Sequence, residues 1–373
     1  MRHSFLGVRS RIIGSVLVVA AFVTVPSARA SANDGHRDEG MYQVTNLVSD
    51  VPGLAAITDP NLANAWGLAA GPATPIWVAN NHTDTSTLYR GAVGGAPISK
   101  VPLVVNIAGG APTGVVFNDG TGFVVSDTSG ASGGARFIFS SEGGDITGWN
   151  PAVPPPPPST QSQPAAHVNG AVYKGLALAT SSHGPRLLAA NFAAGTIDVF
   201  DTTFTLLHDG KFTDPSLPSN YAPFNVTVLN GKVFVSYAQQ DPNGPDDVKG
   251  PGHGYIDVYD PDGNLLRRVV SGGALNSPWG MAIAPAGFGR FSGKLLVGNF
   301  GDGHINVYSL KSGKHRGMLA TDDESPVTID GLWALQFGNS VIGGPTSLLF
   351  SAGPNDEQHG LFGMINVAES DDD

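Results

Sequence analysis

The sequence predicts an all-β chain folded as a six-bladed β-propeller. Three observations carry that expectation. A unit of short apolar runs recurs about every 50 residues, which in a β-rich chain means one blade per unit. Each copy holds a small residue at the same place. The 373 residues include 50 Gly and 28 Pro with only 14% charged side chains, a composition of many turns and ample core.

The clearest copy spans 277–309. Its runs are Trp279-Gly-Met-Ala-Ile283, Lys294-Leu-Leu-Val-Gly298 and His304-Ile-Asn-Val-Tyr308, the last alternating with the period of a half-buried strand. The first run recurs at Trp66-Gly67, Thr113-Gly114, Lys174-Gly175, Phe224-Asn225 and Asp330-Gly331. The second recurs as Ile76–Asn80, Phe123–Asp127, Leu187–Asn191, Val233–Tyr237, Leu295–Asn299 and Leu348–Ala352, with Ala79, Ser126, Ala190, Ser236, Gly298 and Ser351 at the small position. The third recurs as Leu88-Tyr89, Phe137-Ile-Phe139, Ile197–Phe200, Ile256–Tyr259 and Ile305–Tyr308. Side-chain volume is scarce near the axis of a ring, which accounts for the small position.

Taken in order, residues 1–30 read as a Sec-type signal peptide. Arg2, Arg9 and Arg11 precede the apolar stretch Ile12–Val25, too short for a membrane span, and Ala28-Arg-Ala30 marks cleavage. Residues 31–40 read as a disordered linker, 41–367 as the propeller and 368–373 as an acidic tail. Tyr42–Val48 is expected to supply the outer strand that blade six lacks, closing the ring and hiding a sheet edge. The blades fall near 62–105, 111–149, 172–208, 222–270, 277–309 and 329–367. A Pro-rich insertion at 150–166, with five consecutive prolines at 154–158, interrupts the pattern as a surface excursion. A second insertion occupies 239–252. Asp260-Pro-Asp-Gly-Asn264 is turn chemistry without the remaining ligands of a calcium loop.

With no Cys, disulfides and thiol chemistry are excluded. The net charge is −11, and the four Arg of residues 1–30 leave −15 in the mature chain. Without a Lys/Arg cluster, this argues against a nucleic-acid partner. The expected product is a secreted or periplasmic monomer with no membrane span after cleavage.

Pro278-Trp-Gly-Met-Ala-Ile283, Leu295–Asn299 and Ile305–Tyr308 resemble the NHL-type propeller repeat. Asn46-Leu-Val-Ser-Asp50, Asn61–Ala69 and Thr113–Asn118 look like a family of exported bacterial proteins of uncharacterised activity, along nearly the whole mature chain. That resemblance implies a fold and a compartment, not a reaction.

Two residue sets could carry chemistry. The ends of the second runs, Asn80, Asp127, Asn191, Tyr237 and Asn299, would ring one channel mouth with oxygens, able to hold Ca²⁺ or another divalent cation or a hydroxylated ligand. Asn and Asp at such positions also serve turns. The residues at the start of the inner strands form the other set. Trp66 and Trp279 would line the mouth with aromatic faces or plug the axis. Asp330-Gly-Leu332 is similar to the Asp-Gly-apolar element of the gluconolactonase group, which implies Asp330 as catalytic group or metal ligand and Asn225 as a second ligand. The leading expectation is a binding or scaffold module that takes a protein, glycan or small polar ligand at its mouth. The alternative is a metal-dependent lactonase with its site at the axis.

Overall fold

The computed structural model describes residues 41–368. The expected signal peptide (1–30) and linker (31–40), and residues 369–373 of the expected acidic tail, lie outside the described residues. Six sheets stand around one axis, each with its inner strand at the sheet edge that faces the axis. Five are four-stranded meanders: Ala65–Ala69, Ile76–Asn80, Thr85–Arg90 and Ser99–Asn106 in blade one; Pro112–Phe117, Phe137–Ser141, Asp145–Trp149 and Gln163–His167 in blade two; Tyr173–Ser181 to Leu206–Leu207 in blade three; Tyr221–Leu229 to Leu265–Ser271 in blade four; Pro278–Ile283 to His315–Met318 in blade five. Blade six adds Leu332–Phe337, Leu348–Ala352 and Leu361–Val367. Tyr42–Ser49 then pairs antiparallel with its last strand, from Tyr42 opposite Val367 to Ser49 opposite Leu361. The expected ring closure is therefore present.

Six apolar clusters fill the gaps between neighbouring blades; the one between blades six and one continues onto the axis. Around that axis the inner strands nearly touch. A Cβ added to Gly67 would lie 2.4 Å from the Thr113 carbonyl oxygen, and one on Gly280 would lie 2.5 Å from that of Trp333. These positions accept only glycine because the next blade's backbone occupies the space.

Two assignments move. In blade two, Phe137–Ser141 is the second strand and pairs with the inner strand. Phe123–Asp127 instead contributes Val124–Ser126 to a two-stranded hairpin outside the ring. Phe137–Ser141 is buried at every residue, as a strand between two others must be, whereas Val124–Ser126 alternates exposed and buried. The small position of this blade is Ser140, not Ser126. The Pro-rich insertion separates the third strand from the fourth, and its last residues belong to the fourth strand itself. In blade six, Leu332 pairs with Ala352, as Ala65 does with Asn80, so Trp333 stands where Trp66 stands in blade one. Gly331 is a left-handed turn residue (φ 64°) just before the strand.

One buried ionic group makes a testable claim about pH. Asp257 in blade four is fully buried, accepts from Arg268 Nε at 2.9 Å, and shares Arg268 with Asp214 of the blade three–four connection. Burial pushes the Asp257 carboxyl up to about 6 against the pull of Arg268, and neighbouring Asp214 pushes the same way. Its Oδ2 has no donor. A proton retained there gives the folded state a bond toward Asp214 that ionisation removes. The folded pKa is above the unfolded one, so this contribution is complete below about pH 4 and is lost as pH rises through about 6. Asp257→Asn supplies a permanent donor. It should stabilise the protein relative to wild type by about 1–3 kcal/mol more at pH 7.5 than at pH 4.5. Urea titrations at both pH values measure this; a pH-independent difference would refute it.

Candidate functional site

The inner strand of every blade is bulged near its start. The pairing with the second strand skips between Ala65 and Leu68, Tyr173 and Gly175, Pro223 and Asn225, Pro278 and Met281, Leu332 and Leu335, and at Phe139/Ser141 opposite Pro112. A bulge re-aims one side chain. The residues at this level are Trp66, Thr113, Lys174, Phe224, Trp279 and Trp333. The small position sits opposite, and its hydroxyl repairs the ladder in two blades: Ser140 Oγ accepts from the Gly114 amide at 3.2 Å and Ser351 Oγ from the Ala334 amide at 3.1 Å.

The aromatic members close the axis. Trp333 is sandwiched between Trp66 at 3.7 Å and Phe300 at 3.9 Å between ring centroids, with Trp279 edge-on at 5.9 Å and Phe224 tilted at 5.8 Å. All are buried. Trp279 Nε1 donates to the Lys174 carbonyl at 2.8 Å and Trp333 Nε1 to Asn64 Oδ1 at 3.0 Å, while Trp66 Nε1 has no partner.

On the face where the inner strands begin, a charged network covers this plug. The Lys174 side chain is 4% exposed. Its Nζ lies 5.3 Å from the Trp66 ring centroid and donates to Glu142 Oε1 at 2.6 Å and Asp246 Oδ1 at 3.2 Å. Burial would lower the Lys174 pKa, but the Glu142 and Asp246 carboxylates outweigh it and hold the ammonium above the ordinary lysine value. Asn81 Nδ2 donates to Glu142 Oε2 at 3.1 Å, and Asn64 Nδ2 to Glu357 Oε2 at 2.7 Å. Burial pushes the Glu357 carboxyl up, against the Asn64 bond. Glu357 and Asn64 both occupy left-handed backbone, φ 65° and 45°, as do Asn355 and Asp356. The insertion within 239–252 joins the network through Asp246 and Lys249, whose Nζ lies 4.3 Å from the Phe300 ring centroid.

The expected site residues divide. Trp66 and Trp279 belong to the plug; Trp66 presents no open aromatic face, and Trp279 meets open space only at the axial cavity on the other side of the plug. Asn80, Asn191 and Asn299 end their strands as expected, but their side chains serve the blades. Asn80 Nδ2 donates to Thr85 and Thr87, Asn191 Nδ2 to Asp198, and Asn299 Nδ2 to the Ala274 carbonyl. Tyr237 bonds Tyr259 through their hydroxyls at 2.7 Å. Asp127 leaves the ring with its hairpin and caps its own turn, accepting from Ser129 and Ala131. Asp330 is exposed and accepts from the Asn355 amide at 2.8 Å, three residues before the axial position occupied by Trp333. Asn225 does line the axis, but it donates to the Trp279 carbonyl at 2.9 Å and accepts from the Val226 amide. The structure therefore does not join Asp330 and Asn225 in one site. Among the described residues, no three His, Asp or Glu side chains converge as metal ligands.

The network residues missed by sequence reading are Asn64, Glu142 and Asp246. Glu142 follows the last residue of a second strand, as do Asn81 and, in the axial cluster, Phe192 and Phe300. Strand alternation turns that next side chain to the opposite face, so a shift by one would have found Glu142.

No protein-family model matches the chain. Two proteins of Acanthamoeba polyphaga mimivirus are similar along most of its length. Uncharacterized protein R648 is 34% identical over 332 residues, covering 87% of this chain and 80% of its own; uncharacterized protein L690 is 34% identical over 336, covering 87% and 85%. The crystal structure of BBS1N in complex with ARL6DN is a distant likeness, with TM-score 0.41 and 16% identity over 79% of this chain and 76% of that one. At identities of this level and over this coverage, the chain belongs to the family of the mimivirus proteins R648 and L690.

Proposed function

We propose that this protein is an exported binding module whose contact surface is the charged network above the aromatic plug. The observation that carries the reading is the buried Lys174 ammonium held between Glu142 and Asp246, with Glu357 fixed nearby by Asn64. Carboxylates exceed cations there, and the Asp246 side chain is 73% exposed. Such a surface favours a partner that brings a cation or several hydrogen-bond donors, on a basic protein segment or an amino-bearing glycan. The plug beneath gives it a rigid floor, so little is lost in ordering on binding. Export rests on the sequence of residues 1–30 and on the resemblance to exported bacterial propellers; the NHL-type resemblance bears on the fold alone. No helix of the described residues is long and apolar enough to cross a membrane.

A lactonase reading has less support, since its metal would need Asp330 and Asn225 together. The Lys174–Glu142–Asp246 set holds its own ammonium where a divalent cation would sit, so calcium is not part of the proposal.

Two measurements test this function. The mature N-terminus of protein recovered from the culture medium should begin just after Ala30. Biosensor binding to arrays of basic peptides and amino-bearing glycans should find ligands whose affinity falls at least tenfold in Glu357→Gln and Glu142→Gln. Equal binding by wild type and both variants would remove the network from the function.

A further inference from the structure

The opposite face of the ring holds a second feature, independent of the charged network. Below the plug the axis opens into a blind cavity of about 510 Å³. That lies within the roughly 300–1,000 Å³ typical of small-molecule sites. Its inner end is walled by Trp279, Asn225 and the close-approach glycines Gly67, Gly114 and Gly280; its rim is formed by Phe117, Asn230 and Phe337, where the inner strands end. None of the lining residues carries an ionisable side chain. In a chain of net charge −11, a chamber of this size without one charge selects by chemistry.

The wall is not simply apolar. Every inner strand is the edge of its sheet, so one side of each carries main-chain N–H and C=O groups with no ladder partner. Asn225 Nδ2 takes the Trp279 carbonyl and the Gln336 amide pairs with the Leu68 carbonyl and the Ala70 amide; the remaining groups need a partner from water or a ligand. Thr227 and Asn230 add side-chain donors and acceptors, and Leu68, Val115, Leu176, Met281 and Leu335 supply apolar faces between them. Converging main-chain dipoles, a few neutral polar side chains, apolar faces and no charge match an uncharged molecule with hydroxyls on several sides. A charged molecule would give up its hydration with no counter-ion in return. We propose that the axial cavity binds a neutral polyhydroxylated small molecule, of the size of a monosaccharide or cyclic polyol, which enters from the face opposite the charged network.

The experiment is a thermal-shift and calorimetric panel on the mature protein. Neutral probes are glucose, galactose and myo-inositol; their charged counterparts are gluconate, galacturonate and glucosamine. At least one neutral probe should raise the melting temperature in proportion to the logarithm of its concentration, because a ligand bound only by the folded state stabilises it. It should also change the fluorescence of Trp279. Its charged counterpart should bind at least tenfold more weakly. Thr227→Phe and Asn230→Trp, which narrow the chamber and its rim, should each abolish the shift. Glu357→Gln should leave it intact, which separates this site from the network above. The proposal is overturned if no neutral probe binds, if charged counterparts bind as well, or if binding survives both narrowing variants. Should either variant fail to fold, the neutral-against-charged comparison on wild type decides by itself.

Discussion

A chain of residues 31–373 lacking Tyr42–Ser49 is expected to lose its cooperative thermal transition and to aggregate. The deleted strand carries Tyr42, Leu47 and Val48, each buried. At roughly 1.5–3 kcal/mol per buried side chain, their loss is worth about 6 kcal/mol. Whole domains are stable by only about 5–15 kcal/mol. The deletion also removes the Tyr42 hydroxyl bond to the Phe288 carbonyl at 3.1 Å and the Ser49 hydroxyl bond to the Gly360 carbonyl at 2.8 Å, ties that join the strand to blades five and six. It leaves Leu361–Val367 as a bare apolar edge, a template for pairing between molecules. Circular dichroism melts and size-exclusion chromatography report both effects. A synthetic peptide with the sequence of the missing strand should recover part of the transition. A truncated monomer that melts cooperatively within a few degrees of its parent would show that the pairing is dispensable.

Trp333→Ala is expected to cost about 4 kcal/mol, within the usual range of aromatic-to-alanine core substitutions. The side chain lies between two parallel rings and meets two more, so its removal leaves a void that rigid strands cannot collapse. It also strips Asn64 Oδ1 of its indole donor. Trp333→Phe keeps the stack without the indole N–H and should cost about 1–2 kcal/mol. Denaturant titration gives both values. A loss below about 2 kcal/mol for the alanine variant would mean that the plug is loosely packed and that the two faces already communicate.

The architecture was legible because its signal is repeated. The same apolar run and small residue occur in copy after copy, and chance does not reproduce both. The ring-closing strand was legible because blade six lacked an outer strand and Tyr42–Val48 alternated. Reading failed where two segments satisfied one pattern. Phe123–Asp127 and Phe137–Ser141 both end an apolar run with a small residue, and only burial on both faces distinguishes them. Gly331 imitated the glycine of the inner strand, but Ala334 takes that place and Gly331 serves the preceding turn. The site was legible to within one residue. The ends of the second strands mark the right height, but whether a given side chain enters the blade or faces the axis depends on the bulges and on strand alternation, and period alone does not fix that phase. The network across Lys174, Glu142, Asp246 and Glu357 draws on four blades, and no local pattern announces it.

Pairing the first described strand with the last also orders events in time. Tyr42–Ser49 is made early, but its partner Leu361–Val367 is made only after all six inner strands exist. At about 5–20 residues per second, the strand waits roughly 15–60 s on the ribosome with Leu47 and Val48 uncovered. No intermediate chain length can complete the ring, so the protein has no finished folded form until nearly its whole length is available. A nascent chain with that property stays open for longer than one built from independent modules, and it depends correspondingly on whatever shields apolar segments during synthesis.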